Sequence, residues 1–264
     1  MDIYGRLSGN VRFSGSYRTW SEAVGASSGY DSDIILSKVR ESLLKVRRGE
    51  ALFERDSLLF DKVQYSWPLL AALLWITSRS GGNSLNIVDF GGSLGTTYYQ
   101  NIRFLSHLGG LRWSIVEQKK FVECGKRDFE NEHLRFYHDL NECIEERHPD
   151  AILFSGVLQY LENPYDFLKD VLKRDFTYII LDRTPFLDKG DDRLTIQKVP
   201  PEQYPASYPA WFFNLEKLRG FFTKDYEVMA EFDLAEPFNL AGVPTLGKGF
   251  IFVKKDRTVR AGKH

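Results

Sequence analysis

The sequence contains little cysteine, almost no net charge and no long apolar run. Its two cysteines among 264 residues, Cys124 and Cys143, form neither a Cys-x-x-Cys pair nor a cluster with other metal ligands. This pattern argues against a disulfide framework and against a zinc site. It predicts two reduced thiols that pack in the interior.

The charges nearly cancel, because 35 Lys and Arg residues face 36 Asp and Glu residues and leave a net charge of −1. A chain without a basic surplus has no strong attraction to nucleic acid or to anionic membranes. The longest apolar run, residues 67–76, has about half of the ~20 residues that cross a bilayer, and residues 1–6 lack the apolar segment of a secretory signal. We therefore expect a cytoplasmic protein with a small-molecule partner, no nucleic acid and no membrane. A homodimer is compatible with the sequence.

The first 83 residues predict a mostly helical N-terminal extension. Residues 1–30 are rich in Gly, Ser and aromatic residues and show no clear period, apart from a turn of helix near Ser21–Ala23. In residues 33–48 the apolar side chains recur on one helical face. A second helix follows Pro68 and ends near Ser80.

From residue 84 onward, short apolar strands alternate with helices, which is the pattern of a doubly wound sheet. Strands are predicted at 85–90, 113–117, 134–137, 151–154, 178–181, 226–232 and 249–254, and helices at 97–108, 119–129, 165–173 and 214–222. The fold class is therefore α/β: a Rossmann-like, mainly parallel seven-stranded sheet with an antiparallel hairpin at one edge.

This Rossmann-like domain is expected to span residues 84–256 and to be followed by a flexible tail at 257–264. Within it, residues 183–210 contain five prolines together with several aromatic residues: Pro185, Pro200, Pro201, Pro205, Pro209, Phe186, Tyr204 and Tyr208. A long loop in a compact domain is usually functional or disordered, and disordered segments contain few aromatic residues. We therefore expect an irregular substrate loop at 183–210.

The most informative segment runs from Ile87 to Thr96, where a strand ends in Asp89 and continues into Gly91-Gly92-Ser93-Leu94-Gly95. Residues without a Cβ allow the backbone to approach a ligand closely. A dinucleotide site would read Gly-x-Gly-x-x-Gly and hold a pyrophosphate, which a carboxylate at Asp89 would repel. Since a carboxylate suits a cation, the segment favours S-adenosylmethionine as the cofactor over NAD.

Ligands of a doubly wound sheet bind beyond the carboxyl ends of its strands, so the strand ends supply the other candidates. Glu117 ends the second strand and is expected to accept hydrogen bonds from ribose hydroxyls. The predicted cofactor-binding residues are Asp89, Gly91, Gly92, Ser93, Gly95, Glu117, Gln118, Asp139, Ser155 and Gly156. Structural alternatives stay open: a tight turn at the glycines, a helix N-cap at Asp139, and an ion pair or turn at Asp182–Arg183.

The candidate catalytic bases are Asp182, His138 and Tyr208, in that order. Candidate substrate-binding residues are Tyr160, Arg183 and Trp211, with Arg183 suited to an anionic group and the aromatic rings suited to stacking on a sugar. No metal site is predicted, because His133 and His138 would point to opposite faces of a strand.

The segments Asp89–Gly95 and Val157–Leu161, together with Glu117, resemble motifs of class I S-adenosylmethionine-dependent methyltransferases over roughly residues 85–255. Ser93 stands where the first motif of that superfamily usually has its middle glycine. A narrower resemblance, to a little-characterised bacterial methyltransferase family, rests on residues 13–17, Trp20, Gly29-Tyr30, 116–118, 182–185 and 207–209. This second resemblance implies an association with surface-polysaccharide genes, and hence a sugar or nucleotide-sugar acceptor.

The resemblance implies transfer of a methyl group to a small polar acceptor, in the first place to an oxygen. The protein would align the reactants, which contributes about 7–11 kcal/mol, and remove a proton, which contributes about 10²–10⁴-fold in rate. Three alternatives stay open: a non-catalytic cofactor-binding scaffold, an NAD-dependent oxidoreductase and a nucleic-acid methyltransferase. The last is disfavoured by the balanced charge and by Ser155-Gly156-Val157-Leu158, where an Asn-Pro-Pro-Tyr-type tetrad would stand.

Overall fold

A computed structural model describes residues 12–29, 32–200, 203–234 and 238–256. Its helices are α1 (Trp20–Gly25), α2 (Ser32–Arg47), α3 (Trp67–Arg79), α4 (Thr96–Leu105), α5 (Lys119–Asp128), α6 (Leu140–Arg147), α7 (Pro164–Leu172) and α8 (Leu215–Phe222), with a 3-10 turn at Leu158–Tyr160. Its strands are β1 (Arg12–Tyr17), β2 (Phe53–Arg55), β3 (Leu58–Phe60), β4 (Ser84–Phe90), β5 (Gly110–Val116), β6 (Leu134–Tyr137), β7 (Ala151–Ser155), β8 (Tyr178–Leu187), β9 (Arg193–Lys198), β10 (Ser207–Asn214), β11 (Tyr226–Asp233) and β12 (Leu246–Lys254).

The centre of the fold is a parallel sheet in the order β6-β5-β4-β7-β8. All five residues of β7 are buried, which explains why the central strands are continuously apolar rather than alternating. Beyond β8, the strand β12 pairs antiparallel and β11 pairs antiparallel with β12. The predicted mainly parallel sheet with an antiparallel hairpin at one edge is confirmed in this part. The strand order reverses between β4 and β7, where doubly wound folds bind their ligands.

The sheet is larger than the seven strands predicted, because ten strands join it within the described residues. Strand β10 runs parallel to the last residues of β8, β9 pairs antiparallel with β10, and β1 pairs antiparallel with β9. The prediction of an irregular loop at 183–210 was wrong, since these residues include the end of β8, all of β9 and the start of β10.

Two prolines made these strands difficult to predict from the sequence, because proline has no N–H to donate to the hydrogen bonds of a sheet. Pro185 in β8 pairs with Gly247, next to an irregularity in the β8–β12 register. Pro209 in β10 pairs with Ile196 on one side only, because β10 contacts β8 through Phe213 and Asn214 alone. Both prolines therefore occupy strand positions where a missing N–H is tolerated.

The N-terminal segment contains the three predicted helical stretches as α1, α2 and α3, but it also contributes strands. Strand β1 belongs to the main sheet, and β2 and β3 form a separate two-stranded hairpin. The turn of this hairpin is Asp56-Ser57, with φ values of 50° and 70°. Tyr30 and the predicted tail at 257–264 lie outside the described residues.

Two apolar clusters cover the two faces of the sheet. One includes Ile87 and Trp113 and is covered by side chains of α2, α3, α4 and α5. The other includes Val88 and Phe154 and is covered by side chains of α6, α7 and α8. Each central strand supplies both clusters, as its alternating side chains require.

The interior also accounts for the two cysteines. Cys124 and Cys143 are buried and unpaired, which confirms the predicted packed thiols. Among the helices of the described ranges, none has the length and apolar character that a membrane span requires.

Candidate functional site

The glycine turn after β4 folds directly over the Asp89 carboxylate. Asp89 is 1% exposed and accepts a hydrogen bond from the indole Nε1 of Trp113, at 3.3 Å. A Cβ on Gly92 would lie 2.6 Å from Cγ of Asp89, and a Cβ on Gly91 would overlap Val157. The turn therefore needs glycine at both positions in order to close over the acid. Loss of hydration raises the pKa of Asp89 to about 7.

The turn is held in a left-handed backbone conformation. The φ angles are 72° at Gly91, 54° at Ser93 and 104° at Gly95, which caps the N-terminus of α4. A non-glycine residue at positive φ is uncommon and carries local strain, which clusters at functional sites. Ser93 thus adopts a backbone conformation that glycine takes more readily.

Glu117 lies beside this turn, at the end of β5. Its carboxylate accepts hydrogen bonds from the backbone N–H groups of Ser93 and, at 2.5 Å, Gln118. Burial raises its pKa above the usual range. Since a carboxylate can accept about four hydrogen bonds, Glu117 retains acceptor capacity toward a ligand. Asp89 and Glu117 are therefore brought together at the edge where the strand order reverses, as predicted.

The end of β7 and the middle of β8, which pair through Ser155 and Asp182, form the neighbouring part of the site. Asp182 is 2% exposed, and its Oδ2 accepts a hydrogen bond from the hydroxyl of Ser155 at 2.8 Å. The guanidinium of Arg183 donates to the hydroxyl and the carbonyl oxygen of Ser155, both at 3.3 Å, and lies against Gly156. Arg183 has a φ of 51°, a second strained backbone at the site.

Two tyrosines and a glutamine line the side of the site formed by β9 and β10. The Tyr160 hydroxyl donates to Oε1 of Gln197 at 2.7 Å, and Nε2 of Gln197 donates to the Tyr208 hydroxyl at 3.3 Å. Burial raises the pKa of Tyr160 to about 12 and the pKa of Tyr208 well above its usual value. Both phenols therefore stay protonated near neutral pH, which disfavours the predicted role of Tyr208 as a base.

The β2–β3 hairpin adds a carboxylate that the sequence analysis missed. Glu54 is 1% exposed and accepts hydrogen bonds from the hydroxyl of Thr96, the first residue after the glycine turn, and from the N–H of Ser57. Loss of hydration raises its pKa to about 7. The signal available in the sequence was weak: an Asp-Ser turn between Phe53 and the apolar stretch 58–60.

The hairpin also reaches the opposite side of the site. Gln203, which follows β9, donates its side-chain N–H to the carbonyl oxygen of Asp56 at 2.6 Å. Asp56 and Glu54 both act electrostatically on Arg183. The hairpin therefore bridges the glycine turn and the β9–β10 connection.

Two predicted residues lie apart from this group. His138 is exposed just after β6, four strand spacings from β8 and thus about 19 Å across the sheet from Asp182. Trp211 lies three residues after Tyr208 in β10 and hence on the other face, where its indole N–H donates to the carbonyl oxygen of Leu161 at 3.2 Å. His138 therefore lies too far from Asp182 to act on the same substrate group, and Trp211 lies on the face of β10 opposite to Tyr208.

Asp139 caps α6, because its Oδ1 accepts hydrogen bonds from the N–H groups of Asn141 and Glu142 at 2.7 and 3.3 Å. The N-cap interpretation is therefore confirmed. Gln118 is exposed at the start of α5, on the Glu117 side of the site. Within the described ranges, His, Cys, Asp and Glu side chains nowhere form a group of three that would hold a metal ion.

No protein-family model and no curated protein matches the sequence. Solved structures similar to the chain include the N-terminal domain of EvdMO1 with SAH and D-fucose, at 15% identity and a TM-score of 0.48, covering 77% of this chain and 90% of that one. A second is 1,6-didemethyltoxoflavin-N1-methyltransferase of Burkholderia thailandensis, at 14% identity and a TM-score of 0.44, with coverages of 86% and 92%. A third is magnesium protoporphyrin IX methyltransferase of Synechocystis PCC 6803 with bound SAM, at 12% identity and a TM-score of 0.46, with coverages of 86% and 99%. At this level of similarity they assign no function to the chain.

Proposed function

We propose that the protein transfers a methyl group from S-adenosylmethionine to an oxygen of a small polar acceptor, a hydroxyl of a sugar or nucleotide-sugar. The observation that carries this proposal is the glycine turn closed over the buried Asp89, beside Glu117, at the point where the strand order reverses. The sugar acceptor rests on the sequence resemblance.

The residues of the turn fit this cofactor. A buried carboxylate whose pKa is raised to about 7 gains stability from a nearby positive charge, and S-adenosylmethionine carries a sulfonium and an ammonium. Glu117 has acceptor capacity for ribose hydroxyls, and Gly91, Gly92 and Gly95 present backbone without side chains, with Ser93 between them. When bound, the cofactor supplies a methyl group activated by the sulfonium.

The acceptor side is formed by the end of β7 and the middle of β8. Asp182 is the candidate proton acceptor, since its carboxylate accepts a hydrogen bond from Ser155 and it lies in the middle of β8, opposite the end of β7. The protonated phenols of Tyr160 and Tyr208 serve as hydrogen-bonding groups that orient the acceptor. Proton removal by a well-placed base contributes about 10²–10⁴-fold to the rate.

Isothermal titration with S-adenosylmethionine, S-adenosylhomocysteine and NAD tests the proposal. We expect micromolar dissociation constants for the first two ligands and at least tenfold weaker binding in Asp89→Asn and Glu117→Ala. Asp170→Asn, on the exposed face of α7, is the matched control and should bind as the wild type does.

Folded protein that binds neither sulfur ligand would contradict the proposal, and heat with NAD alone would favour an oxidoreductase. Cofactor binding without turnover of any acceptor would favour the non-catalytic scaffold.

A further inference from the structure

Two buried oxygen atoms that can accept hydrogen bonds lack partners among the described residues. Both lie on the side of the site where the methyl acceptor is proposed to bind. They are Oδ1 of Asp182, on a side chain 2% exposed, and Oε1 of Gln159, on a side chain 1% exposed. A buried polar atom without a partner costs about 1–3 kcal/mol, and such atoms in native proteins call for an explanation. A ligand that brings hydrogen-bond donors supplies one.

The orientation of the Gln159 amide is set by its neighbours. Its side chain hydrogen bonds to the Tyr160 hydroxyl, which in turn donates its own proton to Gln197. The bond to Tyr160 therefore uses the Nε2 donor of Gln159, and Oε1 is the free end. This free atom is an acceptor.

The neighbours of Asp182 likewise leave its Oδ1 without a hydrogen-bond donor. Ser155 donates to Oδ2 of Asp182, and the guanidinium of the adjacent Arg183 is directed to Ser155 rather than to Oδ1. Arg183 acts electrostatically on Tyr160, which links the Asp182 side of the site to the Gln159 side. Both free acceptors therefore belong to one region.

Carboxyl groups outnumber cationic groups in this region. Five carboxyl groups come together around the turn and the middle of β8, and they belong to Glu54, Asp56, Asp89, Glu117 and Asp182. Arg183 is a cationic side chain that acts electrostatically on Glu54 and Asp89. Burial raises the pKa values of Glu54, Asp89 and Glu117, which reduces the negative charge of these three groups near pH 7 but supplies no positive charge that would bind an anion. A phosphate or carboxylate would be repelled here.

We propose that the part of the acceptor that enters this region is a hydrogen-bond donor without negative charge, either a neutral polyol or an amine-bearing ring. Its hydroxyl or amine hydrogens bond Oδ1 of Asp182 and Oε1 of Gln159. This inference rests on the proposed function and narrows its acceptor. It also reverses the prediction that Arg183 binds an anionic group, because Asp56, Asp89 and Asp182 already compensate the guanidinium.

Matched pairs of acceptors test the inference, with methyl transfer from radiolabelled S-adenosylmethionine as the readout. The pairs are D-glucose with D-glucose 6-phosphate, D-glucosamine with D-glucosamine 6-phosphate, and UDP-glucose with UDP-glucuronate. We expect turnover of neutral or amine-bearing rings and at least tenfold lower kcat/KM for the ring that carries the added anion. A phosphorylated or carboxylated ring used as well as its counterpart would overturn the inference.

The failures of the two proposals are separable. Cofactor binding without methylation of any neutral or amine-bearing ring would overturn the acceptor assignment and leave the cofactor site standing. Absence of cofactor binding would overturn the proposed function itself.

Substitutions at Asp182 and Gln159 test whether the acceptor contacts these two side chains. The acceptor found in the panel is titrated into the complex with S-adenosylhomocysteine, so that the chemical step plays no part. Asp182→Asn and Gln159→Leu should each weaken acceptor binding at least tenfold and leave the affinity for S-adenosylhomocysteine unchanged, whereas the exposed Asp170→Asn should change neither. Unchanged acceptor affinity in both site variants would overturn the inference.

Discussion

Replacing Glu54 by Gln should make the protein more stable at alkaline pH. Glu54 is 1% exposed, and the loss of hydration that raises its pKa from 4.5 to about 7 outweighs its hydrogen bonds to Thr96 and Ser57. Glutamine has the same shape as protonated glutamate. Its amide oxygen can accept from Ser57, and its amide nitrogen can donate to the hydroxyl of Thr96.

The magnitude follows from proton linkage. Between pH 4.5 and about 7 the folded protein retains a proton on Glu54 that the unfolded chain has lost. The contribution of this proton to the free energy of unfolding is therefore fully present below pH 4.5. It falls by about 1.4 kcal/mol per pH unit as the pH rises through this window. Above pH 7 the total loss is on the order of 3 kcal/mol. Glu54→Gln removes this loss, so its advantage over the wild type should be under about 1 kcal/mol at pH 5 and about 3 kcal/mol at pH 8.

Urea denaturation of both proteins at pH 5 and pH 8 measures the difference. The control is Glu145→Gln, on the exposed side of α6, which should change the free energy of unfolding by less than about 0.5 kcal/mol at either pH. A Glu54→Gln variant that is less stable than the wild type at pH 8, or a difference independent of pH, would refute the assigned burial of Glu54.

Three further predictions concern the site. Gly92→Ala should bind S-adenosylhomocysteine at least tenfold more weakly in titration calorimetry, because the new Cβ would lie 2.6 Å from Cγ of Asp89, whereas Gly220→Ala, with open space around its Cβ, should bind normally. The affinity for S-adenosylmethionine should rise between pH 5.5 and 7.5, up to tenfold per unit, because a cation favours the ionised Asp89, whose pKa is about 7 in the free protein; a flat profile would contradict this. Tyr208→Phe should raise the KM of the methyl acceptor and leave the dissociation constant of the cofactor unchanged, because the lost hydroxyl, which accepts a hydrogen bond from Gln197, lies on the acceptor side of the site. Weaker cofactor binding with an unchanged KM of the acceptor would refute this placement of Tyr208.

The parallel core of the fold could be predicted from the sequence because buried strands consist of continuous apolar runs. Strands β4, β5, β6 and β7 are short apolar runs that end at glycine, acid or N-cap residues, and the structure places each within a few residues of the predicted bounds. The same pattern located Asp89 and Glu117, since both lie at the carboxyl end of a buried parallel strand, the edge where doubly wound folds bind their ligands.

The antiparallel additions could not be predicted, because they depend on pairing between distant segments. Strand β1 pairs with β9, so Phe13 lies opposite Gln197. Local composition carries no sign of such a partner, and the prolines at 185 and 209 argue against strands. Without this pairing, Tyr208 and Trp211 both look like site residues, although alternation in β10 sends them to opposite faces.

Glu54 shows a different limit. As a carboxylate within a short charged stretch, it reads as a solvated residue, and its burial arises only where the β2–β3 hairpin packs on the start of α4. The contact depends on tertiary structure and leaves no period in the sequence.

The most direct test of the cofactor site is a crystal structure of the protein with S-adenosylhomocysteine. We predict that the ribose hydroxyls lie within hydrogen-bond distance of the Glu117 carboxylate and that the amino-acid part of the ligand lies over the turn from Gly91 to Gly95. A ligand bound elsewhere on the protein, or a turn at Gly91–Gly95 that makes no contact with it, would contradict the proposed cofactor site.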